Sequence, residues 1–288
     1  MGLRVFVCGI LMAVPAHAAP LLSIDFNHRL NTPAGSTQAG FTSFIINSNS
    51  SATAVQSNTT VRLIGTHQVS LSATPFHRGY TDRSHAMPTN QGAFTESLLL
   101  RDGVYSPDAR DGGLNILITN LPATNRVQVT VWSYDWLSGP IRASDWYANG
   151  VLLRRAFQFT NSPSPVSNEQ CRFTFTAMVD SAGRLLIEGR RNAMSTNEGG
   201  LPHPAVYLNA LRIDREPLEI LKVEPSGTEL RLTFVVWPQP GSYVVEEFTG
   251  GQWRDTIGVV YGAAVNNRVT ARFPRPNGAR LYRVRYNY

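Results

Sequence analysis

Lysine is almost missing from this chain: of 26 basic residues in 288, only Lys222 is not arginine. The arginines are spread along the whole length, with local densities only at Arg154-Arg155, Arg190-Arg191 and the final strand. A net charge of +6 without a cationic block argues against a nucleic-acid partner and for a solvated, mildly basic surface. Charged residues are few, at 16%. Helical periodicity is also missing, since no window of helical length repeats its apolar residues every 3.6 positions, so helices are expected to be few and short. Cysteine is limited to Cys8 and Cys171. Catalytic signatures are lacking as well: there is no G-x-S-x-G elbow, no H-E-x-x-H, no P-loop and no dinucleotide fingerprint. The chain is therefore expected not to be an enzyme.

The first 18 residues read as a secretory signal peptide, with Arg4, an apolar run from Val5 to Val14, and the small-residue pattern Ala16-His17-Ala18. That run is too short to span a bilayer, and Val7 before Cys8 argues against a lipoprotein signal. The expected location is secreted, periplasmic or cell-surface, without membrane insertion. After processing, Cys171 stands alone, which leaves an intermolecular bridge or a buried small residue. Its alternation in phase with Phe173 and Phe175 favours burial.

What the chain does have is short alternating apolar runs between Gly, Pro and Asn signals, the pattern of an all-β protein. LLSIDFN, GFTSFIIN, TVRLIGTHQVSLSA, LNILITNL and NRVQVTVWSYDW read as strands, and WYANGVLL is a hairpin turning at Asn149-Gly150. CRFTFTAMVD and GRLLIEGR are expected to pair antiparallel around Asp180–Gly183, and AVYLNALRID closes the block. Residues 47–60 read as a long exposed connection, and 75–97 as an irregular loop. A boundary at Arg215-Glu216-Pro217 divides 19–215, expected as a jelly-roll β-sandwich, from 216–288, a small β-sandwich of about six strands.

Four elements in order, SIDFN, the Asn-Gly hairpin in DWYANGVLL, VDSAGRLLIEGR and AVYLNALRID, resemble the galactose-binding-like jelly rolls, including malectin-like and carbohydrate-binding modules. More narrowly, IDFN, AGFTSF, DRSH, LLLRDGVYS, ITNLPATNRVQVTVWSYD and YLNALRID are similar to secreted proteins of the planctomycete and verrucomicrobial kind. The segment from PGSYVVEEFTGGQWRDT to LYRVRY resembles fibronectin-type-III-like modules, which act as spacers or docking pieces. The resemblance implies export and glycan binding. It also implies a structural calcium held by Asp25, Asn27, Asn209 and Asp214, although a metal-free domain stays an equal alternative because no dense acidic cluster is present.

Parity supplies a candidate site. Val127, Val129 and Val131 share one strand face, so Trp132, Tyr134 and Trp136 share the other. If the valines are core, the rings face outward or into a groove, where a pyranose stacks its C–H face on them. Tyr134, Asp135, Trp136, Arg142, Asp145 and Trp146 are the residues expected to hold a glycan or polysaccharide, while Trp132 is as well explained by packing. The alternatives are a structural or adhesive protein binding a cell-surface partner, favoured if Cys171 is exposed, and a hydrolase with its site in the 75–97 loop around His77, His85, Asp82, Arg83 and Glu96. An ion pair of Arg83 with Asp102, tying that loop to a strand, is a further expectation.

Overall fold

The computed structural model describes residues 20–29, 33–46, 57–74, 79–84, 86–107, 112–123, 125–135, 142–159, 164–195, 206–215, 220–236, 242–265, 268–276 and 280–287. The signal-peptide reading of residues 1–18, most of the 47–60 connection, and His77, His85, Trp136 and His203 lie outside them. The chain divides into two compact units, 19–215 and 216–288. Among the described residues no helix is long and apolar enough to cross a membrane.

The first unit begins with β1 (Leu22–Asn27), β2 (Thr42–Ile45), β3 (Thr60–Ile64), β4 (His67–Ala73), β5 (Thr81–Ser84), β6 (Asp102–Tyr105) and β7 (Gly113–Thr119). It continues through β8 (Arg126–Trp132), β9 (Arg142–Ala148), β10 (Val151–Phe159), β11 (Arg172–Met178), β12 (Leu185–Arg191), β13 (Tyr207–Leu208) and β14 (Ala210–Arg215). A five-stranded sheet in the order β11-β8-β14-β1-β2 and a six-stranded sheet in the order β10-β9-β12-β7-β4-β3 form the jelly-roll sandwich, with β13-β6-β5 as a small third sheet. The alternating residues Ile24, Phe26, Leu114, Ile116, Ile118, Val127, Val129, Val131, Leu211 and Ile213 are fully buried in one core. Burying such a side chain contributes about 1.5–3 kcal/mol, so the core sets the pairing register.

Two turns differ in what they join. Asn149 and Gly150 have φ of 48° and 79°, and they close the β9–β10 hairpin as the sequence predicts. The Asp180–Gly183 turn also forms, with the Asp180 carboxylate accepting the N–H groups of Ala182 and Arg184 at 2.9 and 2.8 Å. Yet β11 pairs with β8, while β12 pairs with β7 and β9 in the opposite sheet. The expected antiparallel pair is instead an arch across the sandwich. Both flanking segments bury an apolar face, and that condition is met equally well by facing sheets.

The second unit packs a four-stranded sheet, β15 (Ile220–Ser226), β16 (Glu229–Val235), β20 (Arg268–Pro274) and β19 (Val260–Tyr261), and a three-stranded one of β18 (Gln252–Asp255), β17 (Ser242–Thr249) and β21 (Tyr282–Asn287). Its own core is built on Leu232, Phe234, Val245, Ala271, Phe273 and Tyr282. Gly250 and Gly251, at φ of 59° and 81°, turn β17 into β18.

Candidate functional site

The polar end of the first sandwich is organised by Asn209, the residue at which the chain leaves β13 in the small sheet and enters β14 in the five-stranded one. All four of its hydrogen-bonding groups are engaged. Its backbone N–H donates to the Trp132 carbonyl at 2.9 Å and its carbonyl accepts the Phe26 N–H at 2.8 Å. Its side-chain oxygen accepts the Tyr134 N–H at 2.7 Å, and its amide donates to the Asp102 carbonyl at 2.9 Å.

Held this way, the chain runs on past β8 into Ser133, Tyr134 and Asp135, all fully buried. Arg83 from β5 and Arg142 from β9 converge on one Asp135 carboxylate oxygen at 3.3 and 3.0 Å. The Arg142 side chain is 7% exposed and that of Arg83 is 39% exposed, so the second guanidinium carries the cluster to the surface. Burial pulls Arg142 below the ordinary arginine range even though Asp135 opposes the shift. Beside them the half-buried ring of Tyr105 lies nearly parallel to that of buried Tyr207, centroids 5.9 Å apart. The position requires glycine at 103, because a Cβ there would stand 2.7 Å from the Tyr207 ring. Burial raises both tyrosine hydroxyls above their usual range.

A second layer of carboxylates lies next to this one. Asp82 accepts both the backbone N–H and the guanidinium of Arg29 at 2.9 Å, and Asp102 accepts the His28 N–H at 3.0 Å. Arg83 thus pairs with Asp135 and not with Asp102. The register explains the exchange: Asp102 stands opposite Ser84 in the β5–β6 ladder, whereas Arg83 is opposite Gly103 and reaches past it.

The expected ring platform is not open. Tyr134 and Trp146 are fully buried and Trp132 is 3% exposed. Trp146 packs on Phe173, and its indole N–H donates to the Ser144 hydroxyl at 2.9 Å, so it belongs to the core. Trp132 donates to Glu96 at 2.7 Å and meets Phe41 edge-on, and Arg172 lies over its ring while pairing with Glu96. Trp132, the last residue of β8, lies on the strand face opposite the valines, and the irregular segment around Glu96 covers it. Asp145 is used by the fold. It accepts the N–H of Ala156, a residue at φ of 47° in an irregular stretch of β10, at 2.6 Å, and the Asn192 amide at 2.8 Å.

The four calcium candidates do not converge. Asp25 stands opposite Ala210, four residues along β14 from Asp214, a separation of roughly 13 Å at the rise of a strand. Asp214 is bound by Arg212 at 2.8 Å. Asn27 donates to the Ser36 carbonyl at 2.9 Å and accepts the Thr37 hydroxyl at 3.1 Å, and the Asn209 amide is hydrogen-bonded at both its oxygen and its nitrogen. Among the described residues no group of three or more His, Cys, Asp or Glu is placed to hold a metal. Asp25 itself is buried, with one oxygen accepting the Gln38 N–H at 2.8 Å and the other unbonded. Burial, with a smaller push from Asp102, raises its carboxyl to about 7.

Of the expected glycan contacts, the structure brings Asp135 and Arg142 together and adds Arg83, Tyr105 and Tyr207, which parity along one strand does not reveal. Their trace in the sequence is that Arg83 and Tyr105 fall inside DRSH and LLLRDGVYS, the segments already similar to the secreted bacterial proteins.

The fold and site define an all-β chain with a buried arginine–aspartate–tyrosine network at the end of its larger sandwich. No protein-family model and no curated protein matches it. Among solved structures, a family 35 carbohydrate binding module from Clostridium thermocellum is 10% identical and covers 55% of this chain and 99% of its own, with a TM-score of 0.29. A CBM35 from Paenibacillus barcinonensis is 14% identical and covers 50% and 98%, with a TM-score of 0.27. Superpositions this loose assign neither a ligand nor a site to the chain.

Proposed function

We propose that the chain is an exported, non-catalytic carbohydrate-binding protein whose first unit holds a glycan at the rim formed by Arg83 and Tyr105. The carrying observation is that the Arg83 guanidinium, 39% exposed, is held from beneath by a buried carboxylate that also holds Arg142. A guanidinium fixed in this way presents hydrogen-bond donors to sugar hydroxyls with little ordering cost on binding. Tyr105, locked flat on Tyr207, supplies a half-exposed ring, and the sequence expectation adds Trp136, one residue beyond Asp135. Asp82 and Glu96, the carboxylates of the hydrolase alternative, are engaged by Arg29 and by Trp132 with Arg172, which is a structural use of both groups.

The test is retention on a panel of insoluble polysaccharides and a glycan array, with wild type, Arg83→Ala and Trp136→Ala. At least one ligand is expected to lose about tenfold or more in affinity, or about 1.4 kcal/mol, in each variant. Retention unchanged in both variants would overturn the reading. The adhesive alternative draws on an exposed Cys171, but that thiol is fully buried, donates to the Asn168 carbonyl at 3.1 Å, and is pushed up to about 12, chiefly by burial. A non-reducing gel is therefore expected to show no disulfide-linked dimer.

A further inference from the structure

The four-stranded sheet of the second unit carries charge in an arrangement that folding alone disfavours. Alternation in β16 and β20 sends Leu232, Phe234, Val269, Ala271 and Phe273 into the core and leaves Arg231, Thr233, Arg268, Thr270 and Arg272 on the opposite face. The register sets Arg231 directly opposite Arg272. Like charges directly opposite each other in a ladder are destabilising; the same face also carries Glu229, two residues before Arg231, which makes no ion pair among the described residues. Glu224 faces Arg231 from the other side, but its carboxylate is bonded to Lys222. The Arg231 Nε is buried with no hydrogen-bond partner, and among the described residues Arg231, Arg268 and Arg272 make no ion pair. Between them the Thr233 and Thr270 hydroxyls bond each other at 3.0 Å on the floor of a shallow cleft that Gly262, Val265 and Arg268 also line.

We infer that this face binds a linear carboxylated polysaccharide. Adjacent strands lie roughly 4.8 Å apart, close to the length of one sugar ring, and Arg268 and Arg272 are four residues apart on one strand, roughly 13 Å. Arg268 and Arg272 are thus spaced for acidic sugars about three rings apart on a chain running along β20, with Arg231 flanking Arg272 from the neighbouring strand. Arginine suits such a ligand better than lysine, because its planar fork meets a carboxylate with two parallel hydrogen bonds and is more weakly hydrated. A threonine floor offers hydroxyl contacts to sugar. Single-stranded nucleic acid, the other polyanion in question, gains much of its affinity from stacking on aromatic rings, and the described residues of this face carry none.

The proposal concerns the second unit and does not rest on the rim of the first. The full chain is assayed for binding to polygalacturonate in low and in physiological salt, beside a neutral polysaccharide and single-stranded DNA. Wild type is expected to bind polygalacturonate, more weakly as salt screens the contact. The triple variant Arg231→Gln, Arg268→Gln, Arg272→Gln is expected to lose about tenfold or more in affinity. Arg272→Glu alone is expected to weaken binding while raising the unfolding temperature of the second unit, because it converts a repulsive pair into an attractive one. Arg184→Gln, on an exposed turn of the first unit, is expected to leave polygalacturonate binding intact. The inference is overturned if wild type does not bind polygalacturonate, if the triple variant binds as well as wild type, or if DNA binds more tightly through the same arginines. Binding that disappears with Arg83→Ala but survives the triple variant would credit the first unit and refute the second-unit face.

Discussion

Arg142 in the first unit and Arg231 in the second both sit on strands, yet their surroundings differ. Arg142 is almost wholly buried and is bound to a carboxylate that a second arginine shares. Arg231 is half-buried, faces another arginine and makes no ion pair among the described residues, while the Nε of both residues is unbonded. Burial enforces matching, because an isolated ion away from water costs far more than a fold can offset. A partly solvated charge is under no such pressure, so leaving it unmatched costs the fold little and keeps it available to a partner. A buried, matched charge such as Arg142 therefore holds this molecule together, whereas an unmatched one such as Arg231 is left available for binding.

The strongest way to break that contrast is to remove the buried partner. Asp135→Asn leaves two guanidinium groups without their carboxylate, one of them deep in the sandwich, and the expected loss is about 3–5 kcal/mol. Urea unfolding of the full chain, following the transition of the larger unit, measures it. A loss below about 1 kcal/mol, the value of an exposed pair, would place the cluster in solvent and erase the distinction.

Asp25 sharpens the contrast through pH. Its folded carboxyl stands at about 7 against an ordinary 3.8, so the folded state binds the proton more tightly than the unfolded one. The stability this proton confers is fully present below the unfolded value and is lost as pH rises through the folded one, at up to about 1.4 kcal/mol per pH unit within that window. Asp25→Asn keeps an oxygen for the Gln38 N–H and removes the titration. The variant is expected to be more stable than wild type by a few kcal/mol at pH 8 and nearly equal to it at pH 4. Unfolding midpoints across that range test this, and parallel pH profiles for the two proteins would refute it.

An intermediate case lies at Glu96, which is partly buried and bound from both sides by Trp132 and Arg172. Burial raises its carboxyl, against the opposing pull of those two partners. Trp132→Phe keeps the ring and deletes one charge-assisted hydrogen bond, an expected cost of about 1.5 kcal/mol. The cost should be local, appearing as faster proteolysis or hydrogen exchange between residues 86 and 101.

The same latch shows what the sequence can and cannot reveal. Alternation names the core residues Val127, Val129 and Val131 and places Trp132 on the far side of the strand, because pleat parity is a local property. Whether that far side meets water depends on where the segment around Glu96 lies, and its contacts with β8 and β11 join residues separated by 36 and 76 positions. No periodic signal reports such a contact. Asn149-Gly150 is legible because two residues at positive φ nearly determine a hairpin, whereas Asp180–Gly183 specifies a turn but not the sheets its flanks join. Asn209 stands out in the closing strand as an amide between apolar residues. Its chemistry suggests a metal ligand, and only the strand switch shows that the backbone consumes it.

The smallest expected effect tests the unmatched side. Arg272→Glu places a carboxylate directly across from Arg231 on a partly solvated sheet face. Cross-strand pairs of opposite charge contribute roughly 0.2–1 kcal/mol, so the second unit should gain at most that much, and the gain should shrink in high salt. A substitution that strengthens the fold while weakening polyanion binding would show that this position trades stability for contact. If it destabilises the unit, Arg272 is already matched in solution, and the difference between the two regions is smaller than their geometry indicates.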